Sequence, residues 1–265
     1  VNDSRDLFAQ KGNQRGSSPG HLRLVTPTDP LPAVLSRRDP ELVRRLFPLL
    51  TLLTDHYYRL EVEGAELLSD RACVTVSTHN GGWHFPDFYC LLVTFLRRFG
   101  LETPGYGMMH GAAFKVPVLG KLLTQIGAIH ASRHNARLVL DAGYPLFVCP
   151  GGDEDTLKPF RRRHQLAFGK RRGFVRMAIE RQVPIIPVVS VGAHEVFYVL
   201  NDGRATARAL RFDRLFRIKT VPLVFGFPLG LTIAGLGTLP LPSKVSLRVL
   251  PPIELDERSV GQPGA

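Results

Sequence analysis

His79, His84 and Asp87 lie within the stretch Thr78-His79-Asn80-Gly81-Gly82-Trp83-His84-Phe85-Pro86-Asp87, and all three side chains can move protons. A histidine suits proton removal from a hydroxyl near neutral pH. A carboxylate on its other ring nitrogen orients the imidazole and stabilises the imidazolium. Gly81 and Gly82 tolerate positive φ, so the loop can fold back and bring Asp87, in the first turn of a following helix, to His79. An isolated pair of this kind also has a plainer explanation: a loop histidine, with an aspartate complementing a helix dipole.

Two further clusters follow. In Gly127-Ala128-Ile129-His130-Ala131-Ser132-Arg133, an arginine just beyond an expected strand offers a bidentate grip on phosphate. In Cys149-Pro150-Gly151-Gly152-Asp153-Glu154-Asp155, consecutive glycines after a buried strand can expose backbone N–H groups to an oxyanion or phosphate. A tight turn would explain the same glycines. Arg133, Gly151, Gly152 and Glu154 form the candidate substrate-binding set. The acidic run has no His or Cys at ligand spacing beside it, and no metal is expected. Cys149 sits in an apolar run, which raises a thiol's pKa and disfavours it as a nucleophile.

Between Lys158 and Arg181 lie nine cations against the single anion Glu180. They hold most of the net charge of +11, and the pI is near 10.1. Arg161, Arg162, Arg163, Lys170, Arg171 and Arg172 are the candidates for an anionic ligand or membrane surface; a solvated face is the usual explanation of such a run. Arg204, Arg208, Arg211, Arg214 and Arg217 add a second basic stretch. Such an excess attracts nucleic acid, anionic membrane or phosphorylated substrates. With 44% hydrophobic and 22% charged residues, the composition is that of a globular chain and excludes disorder, collagen or a disulfide scaffold for the whole. The three cysteines, Cys73, Cys90 and Cys149, read as buried thiols.

The elements that must position these residues alternate. Strands are expected over 72–77, 105–109, 126–130, 146–149, 184–190 and 244–250, and helices over 86–98, 135–142 and 172–181, with shorter helical signals over 114–124. That order predicts an α/β fold: a single layered domain with a mixed, largely parallel sheet flanked by helices, preceded by an N-terminal amphipathic helical segment. Ligands in such sheets gather beyond the strand ends, here after residues 77, 130, 149 and 190. Residues 1–38 are polar and turn-rich and read as a flexible arm. Residues 39–60 read as a helical segment opened by Asp39-Pro40-Glu41 and split or kinked at Pro48; its apolar face suits either core packing or a membrane surface. The α/β domain is expected over 61–256 and a tail over 257–265. The uncharged run Thr220–Ser243 has the length of a membrane span, but its prolines and glycines oppose a continuous helix. It reads first as buried irregular core, with a membrane-apposed segment as the alternative.

These blocks, in this order, resemble the lysophospholipid/glycerolipid acyltransferase (PlsC-like) family. His79 to Asp87 is similar to its histidine–aspartate block, and Gly127, Ile129 and Arg133 to its Gly-x-Ile-x-x-x-Arg block. Phe147 to Gly152 resembles its third block and Val183-Pro-Ile-Ile-Pro187 its fourth, so the likeness covers roughly residues 58–200. Two departures stand out. The family usually has four residues between His and Asp, whereas here the position five after His79 is His84 and the aspartate is Asp87. Pro150-Gly151-Gly152 replaces the usual Pro-Glu-Gly, as in the branch that includes monoacyl- and diacylglycerol-type acyltransferases.

The resemblance implies acyl transfer from acyl-CoA or acyl carrier protein, as co-substrate, to a glycerolipid hydroxyl, with no cofactor. It implies His79 as general base; either the loop bulges through its glycines so that Asp87 is the partner, or His84 takes that place, and Asp87 is favoured because only a carboxylate both accepts the imidazole N–H and supplies negative charge. Arg133 would hold an anionic head group and Gly151–Gly152 an oxyanion. The expected partners are an acyl thioester donor, a glycerolipid acceptor and an anionic membrane surface, and the expected place is the cytoplasmic face of a membrane, peripheral or monotopic. A basic protein that binds nucleic acid or anionic membrane without catalysis is the rival. No RRM-like aromatic block, zinc spacing or helix-turn-helix signature supports nucleic acid. An esterase of the α/β-hydrolase type would need a Gly-x-Ser-x-Gly elbow between strand and helix, and none of the expected strands runs into one.

Overall fold

The computed structural model describes residues 31–215 and 219–255. Helix α1 (Pro40–Leu52) starts as its sequence dictates: the Asp39 carboxylate accepts the Leu42 N–H at 3.1 Å, and Pro40 occupies the first turn, where its missing donor costs nothing. Pro48 does not split it; the helix runs to Leu52 and closes in a π turn, Leu53–Tyr57. Val43 and Phe47 pack against the next long helix, while Leu49 and Leu52 are exposed, so this segment serves the core on one face only.

The strands that follow are β1 (Glu61–Glu63), β2 (Val74–Ser77), β3 (Tyr106–Met109), β4 (Ala128–His130), β5 (Leu146–Val148), β6 (Ile185–Val191), β7 (Tyr198–Val199), β8 (Leu223–Gly226), β9 (Gly230–Ile233) and β10 (Ser246–Val249). Between them run α2 (Pro86–Phe99), α3 (Pro117–Gln125), α4 (Arg133–Asp141), α5 (Gly152–Thr156), α6 (Gly173–Arg181), α7 (Arg204–Ala209) and α8 (Phe212–Leu215).

Among the described residues, seven strands form one sheet in the order β1-β10-β6-β2-β5-β3-β4. All neighbours are parallel except β10 and β6. One face of the sheet is covered by α4 and α6, through Ala136, Val139, Leu140, Met177 and Ala178. The other carries Cys90 and Leu91 of α2 with Tyr58, Phe197 and Leu247. This is the expected layered α/β fold with a mixed, largely parallel sheet. Parallel strands aligned this way bring the segments after β2, β5, β6 and β4 to one edge of the sheet.

Two expectations are corrected. Of the arm expected over 1–38, residues 1–30 lie outside the described residues, as does the tail expected over 257–265. Residues 31–38 belong to the fold: Leu35 is buried, Tyr106 Oη donates to its carbonyl at 2.9 Å, and Arg38 donates to the Leu101 carbonyl at 2.7 Å. The run Thr220–Ser243 is not buried irregular core. It contains the hairpin β8–β9, which pairs with β7 in a separate antiparallel sheet and leaves many of its apolar side chains outside. Among the described residues, no helix is long and apolar enough to cross a membrane.

Candidate active site

The chain leaves β2 at Ser77 and turns back on itself. Gly81 and Gly82 adopt φ of +79° and +55°, and Phe85 follows at +47°, before Pro86 starts α2. Only glycine fits the first of these turns: a Cβ at Gly81 would stand 2.4 Å from the Pro86 ring and 2.8 Å from the Ala193 carbonyl. The bulge absorbs the extra residues and sets Asp87 Oδ1 3.8 Å from His79 Nδ1. That exceeds hydrogen-bond length, and Nδ1 is buried with no partner among the described residues. Catalytic contacts of this kind often tighten only when substrate binds.

Asp87 is held independently of the ring. The carboxylate is 2% exposed and accepts the backbone N–H groups of Asn80 at 2.6 Å and Phe88 at 3.0 Å. Phe85 stacks on the His79 ring, 5.6 Å between centroids. His84 turns to other partners: its Nε2 lies 3.2 Å from Thr238 Oγ1 and its ring sits against Phe197. Burial pushes the His84 pKa down, favouring the neutral ring.

Beneath the loop lies a polar network that the sequence reading did not single out. Asp155 is fully buried; one carboxylate oxygen accepts the His79 backbone N–H at 2.8 Å, and the other accepts Lys158 Nζ at 2.7 Å and the Ala167 N–H at 3.2 Å. Lys158, itself 5% exposed, also donates to Asn80 Oδ1 at 3.0 Å. Asn80 is thus tied to both carboxylates, by its backbone to Asp87 and by its side chain, through Lys158, to Asp155. Next to the pair, His194 Nε2 lies 2.8 Å from the Lys158 carbonyl oxygen. Burial, aided by the Lys158 charge, pushes the His194 pKa down to about 4. The i,i+3 spacing of Asp155 and Lys158 was the available signal, hidden at the edge of a basic run.

The other expected residues divide. Gly151 and Gly152 provide room. A Cβ on Gly151 would meet the Asp155 side chain at 2.1 Å, and one on Gly152 would meet Arg171 Nη1 at 2.4 Å. The Gly152 N–H donates to the Cys149 carbonyl at 3.3 Å, so it is not offered to an oxyanion. Glu154 is committed to ion pairs with Arg171, Arg204 and Lys219 rather than to a ligand. Arg171 also caps the Pro150 carbonyl at 3.0 Å, and Arg163 pairs with Glu195 while lying over the Phe160 ring; both serve the fold. Arg161, Arg162, Lys170 and Arg172 are exposed, while Lys158 leaves the basic surface altogether.

Arg133 opens α4 and is exposed. Because β4 is the third strand from β2 along the sheet, it stands about 14 Å along the same edge at ordinary strand spacing. Cys149 has a pKa raised well above that of a free thiol, first by burial and then by Asp87 and Asp155, which disfavours the thiolate. Arg217 lies outside the described residues.

The sequence profile of the diacylglycerol acyltransferase family matches residues 98–262, a span that begins within α2, after the His79 loop. The chain belongs to this family, a family of glycerolipid acyltransferases. Among curated relatives, it is 30% identical over 198 residues to an uncharacterized protein of Mycobacterium tuberculosis, covering 74% of this chain and 52% of that one. It is 34% identical over 175 residues to the human "DGAT1/2-independent enzyme synthesizing storage lipids", covering 66% of this chain and 52% of that enzyme. It is 28% identical over 148 residues to diacylglycerol O-acyltransferase 1 of Eremothecium gossypii, 55% of this chain and 32% of that one. The chain thus spans about half the length of the first two of these relatives and a third of the last. Among solved structures, the lysophosphatidate acyltransferase PlsC of Thermotoga maritima aligns over 81% of this chain and 67% of its own, at 18% identity and a TM-score of 0.46. The likeness inferred from the ordered blocks, including its neutral-glycerolipid branch, is borne out by the family match.

Proposed function

We propose that this chain transfers an acyl group from a thioester, acyl-CoA or acyl carrier protein, to the hydroxyl of a mono- or diacylglycerol or a lysophospholipid. The observation that carries the reading is the His79–Asp87 pair at the edge of the sheet where the parallel strands end. Family membership supports the reaction class.

In this mechanism His79 Nε2 removes the acceptor's proton while Asp87 draws on the Nδ1–H and stabilises the imidazolium. The alkoxide oxygen bonds to the thioester carbonyl carbon, the tetrahedral intermediate collapses, and the C–S bond breaks. The thiolate leaves with the proton that His79 carried. The Asp155–Lys158–Asn80 network positions the loop rather than touching the reacting atoms. A narrow apolar cleft lined by Val43, Phe88, Leu91, Phe95, Gly107 and Phe147 starts one residue from Asp87, and it would have to widen to take the donor's hydrocarbon chain. Arg133 would hold an anionic head group or the phosphates of CoA.

The proposed setting is the cytoplasmic face of a membrane. Arg161, Arg162, Lys170 and Arg172 would meet anionic lipid there, each contributing about 1 kcal/mol near the surface. Incubating the protein with acyl-CoA or acyl carrier protein and each acceptor class, with identification of the lipid product, tests the function. Release of the free carrier only when an acceptor is present supports it; no product from any acceptor with either donor contradicts it.

A further inference from the structure

The hairpin β8–β9 reverses the usual pattern of a half-exposed antiparallel sheet, in which polar side chains face water. Its register pairs Phe225 with Leu231 and Leu223 with Ile233, and Phe225 also lies opposite Tyr198 of β7. Phe225 and Leu231 are each 59% exposed. The small or polar residues, Gly226 and Thr232, sit on the alternate positions, and Thr232 Oγ1 donates back to the Val224 carbonyl. The tip continues the surface with exposed Phe227 and Leu229. No charged residue occurs from Thr220 to Ser243. A contiguous apolar face of this kind on a stable fold marks a contact surface.

Two features identify what it contacts. First, its rim is cationic. Helix α7 packs against the hairpin's base through Ala207, Val221 and Ala234, and it brings exposed Arg204 and Arg208 alongside, with Arg211 following. An apolar patch fringed by arginines fits an anionic bilayer, with side chains entering the acyl region and guanidinium groups at the head groups. Second, the face is tied to the catalytic loop. Trp83 Nε1 donates to the Ala234 carbonyl at 3.0 Å, and His84 Nε2 lies 3.2 Å from Thr238 Oγ1. Trp83 is 47% exposed, and an indole with one wet and one apolar side suits the interface.

We propose that the β7–β8–β9 sheet is a lipid-inserting face that seats the protein on anionic bilayers and sets the His79 loop at the membrane surface. His84 and Trp83 thereby act as struts between loop and hairpin. The inference rests on the membrane setting proposed above, and on nothing about the acyl donor or the acceptor.

Sedimentation of the full chain with vesicles of phosphatidylcholine, with and without phosphatidylglycerol, tests it. The Phe225→Asp/Leu231→Asp variant is compared with a Leu49→Asp/Leu52→Asp control on α1, with folding of both checked by thermal unfolding. The unsubstituted chain is expected to favour the anionic vesicles, and the hairpin variant to bind at least about tenfold more weakly, since two large apolar side chains lose their burial. The α1 variant is expected to stay close to the unsubstituted chain. Acyl transfer to a detergent-dispersed acceptor is expected to survive in the hairpin variant, which separates this inference from the proposed reaction. A second reading does not depend on the aspartates: Phe227→Trp is expected to gain emission that lipids brominated on the acyl chains quench, beyond the Trp83 background. Vesicle binding unchanged in a folded hairpin variant, or no added quenching, overturns the inference while leaving the membrane setting intact. Indifference of the unsubstituted chain to all vesicles overturns both. A dimer dissociated by the hairpin substitutions, with vesicle binding unaffected, assigns the face to a second copy of the chain and overturns it as well.

Discussion

Asp87 Oδ1 lies 3.8 Å from His79 Nδ1 although seven residues separate the two in sequence. The approach depends on a backbone that reverses through left-handed positions at Gly81, Gly82 and Phe85. The Gly81 turn is therefore a sensitive point. Gly81→Ala is expected to cost about 1–3 kcal/mol, because it combines positive φ with a Cβ that has no room. It is also expected to lower the transfer rate by more than its stability loss explains. Chemical denaturation and initial rates on the same preparation check this.

The buried Asp155–Lys158 pair makes a second prediction. Removing one partner leaves an uncompensated charge in the interior, so Lys158→Met is expected to destabilise the protein by about 3–5 kcal/mol. Asp155→Leu combined with Lys158→Met removes both charges and is expected to recover part of that stability. Activity is expected to stay low in the double variant, because the His79 N–H then loses its carboxylate acceptor. Urea unfolding of the three proteins, with rates alongside, decides it.

Acid stability follows from His194. Its folded pKa, about 4, lies below the ordinary histidine value, so between about pH 6.5 and 4 the unfolded chain binds a proton that the folded chain refuses. Stability is therefore full above that window and falls as the pH drops through it, by about 3 kcal/mol in all. His84, shifted in the same direction, adds to the slope. Unfolding free energy measured across this range is expected to decline toward acid, and less steeply in His194→Gln.

The apolar cleft beside α2 predicts donor selectivity. A Cβ on Gly107 would meet the Phe88 ring at 3.0 Å, so Gly107→Val narrows the cleft at Phe88. The variant is expected to shift preference toward shorter acyl chains, read by competing short and long acyl-CoA in one reaction. An unchanged chain-length profile would place the hydrocarbon elsewhere.

Much of the arrangement was legible from residue types alone. The strand ends after 77, 130, 149 and 190 marked the working edge, because strands that alternate with helices form parallel sheets and their loops gather on one side. The two glycines before Asp87 announced a chain reversal. Lys158 was not legible: a lysine at the head of an arginine-rich run reads as solvated, and only the fold reveals the carboxylate that accompanies it into the interior. Gly151 and Gly152 suggested an anion cradle, but their lack of side chains makes space for Asp155 and Arg171. The hairpin β8–β9 escaped because its large apolar residues face outward and Gly226, Gly230 and Thr232 take the alternate positions, so a pattern that ordinarily marks the buried side here marks the exposed one.

In the proposed mechanism the imidazole at position 79, and not the one at 84, takes the acceptor's proton. The most direct measurement is acyl transfer by His79→Ala beside His84→Ala, in one assay, with folding of both checked by circular dichroism. Loss of general-base catalysis is expected to slow His79→Ala by about 10²–10⁴-fold while His84→Ala keeps most of its rate. Near-normal turnover by a folded His79→Ala, or a greater loss from His84→Ala, would contradict the mechanism.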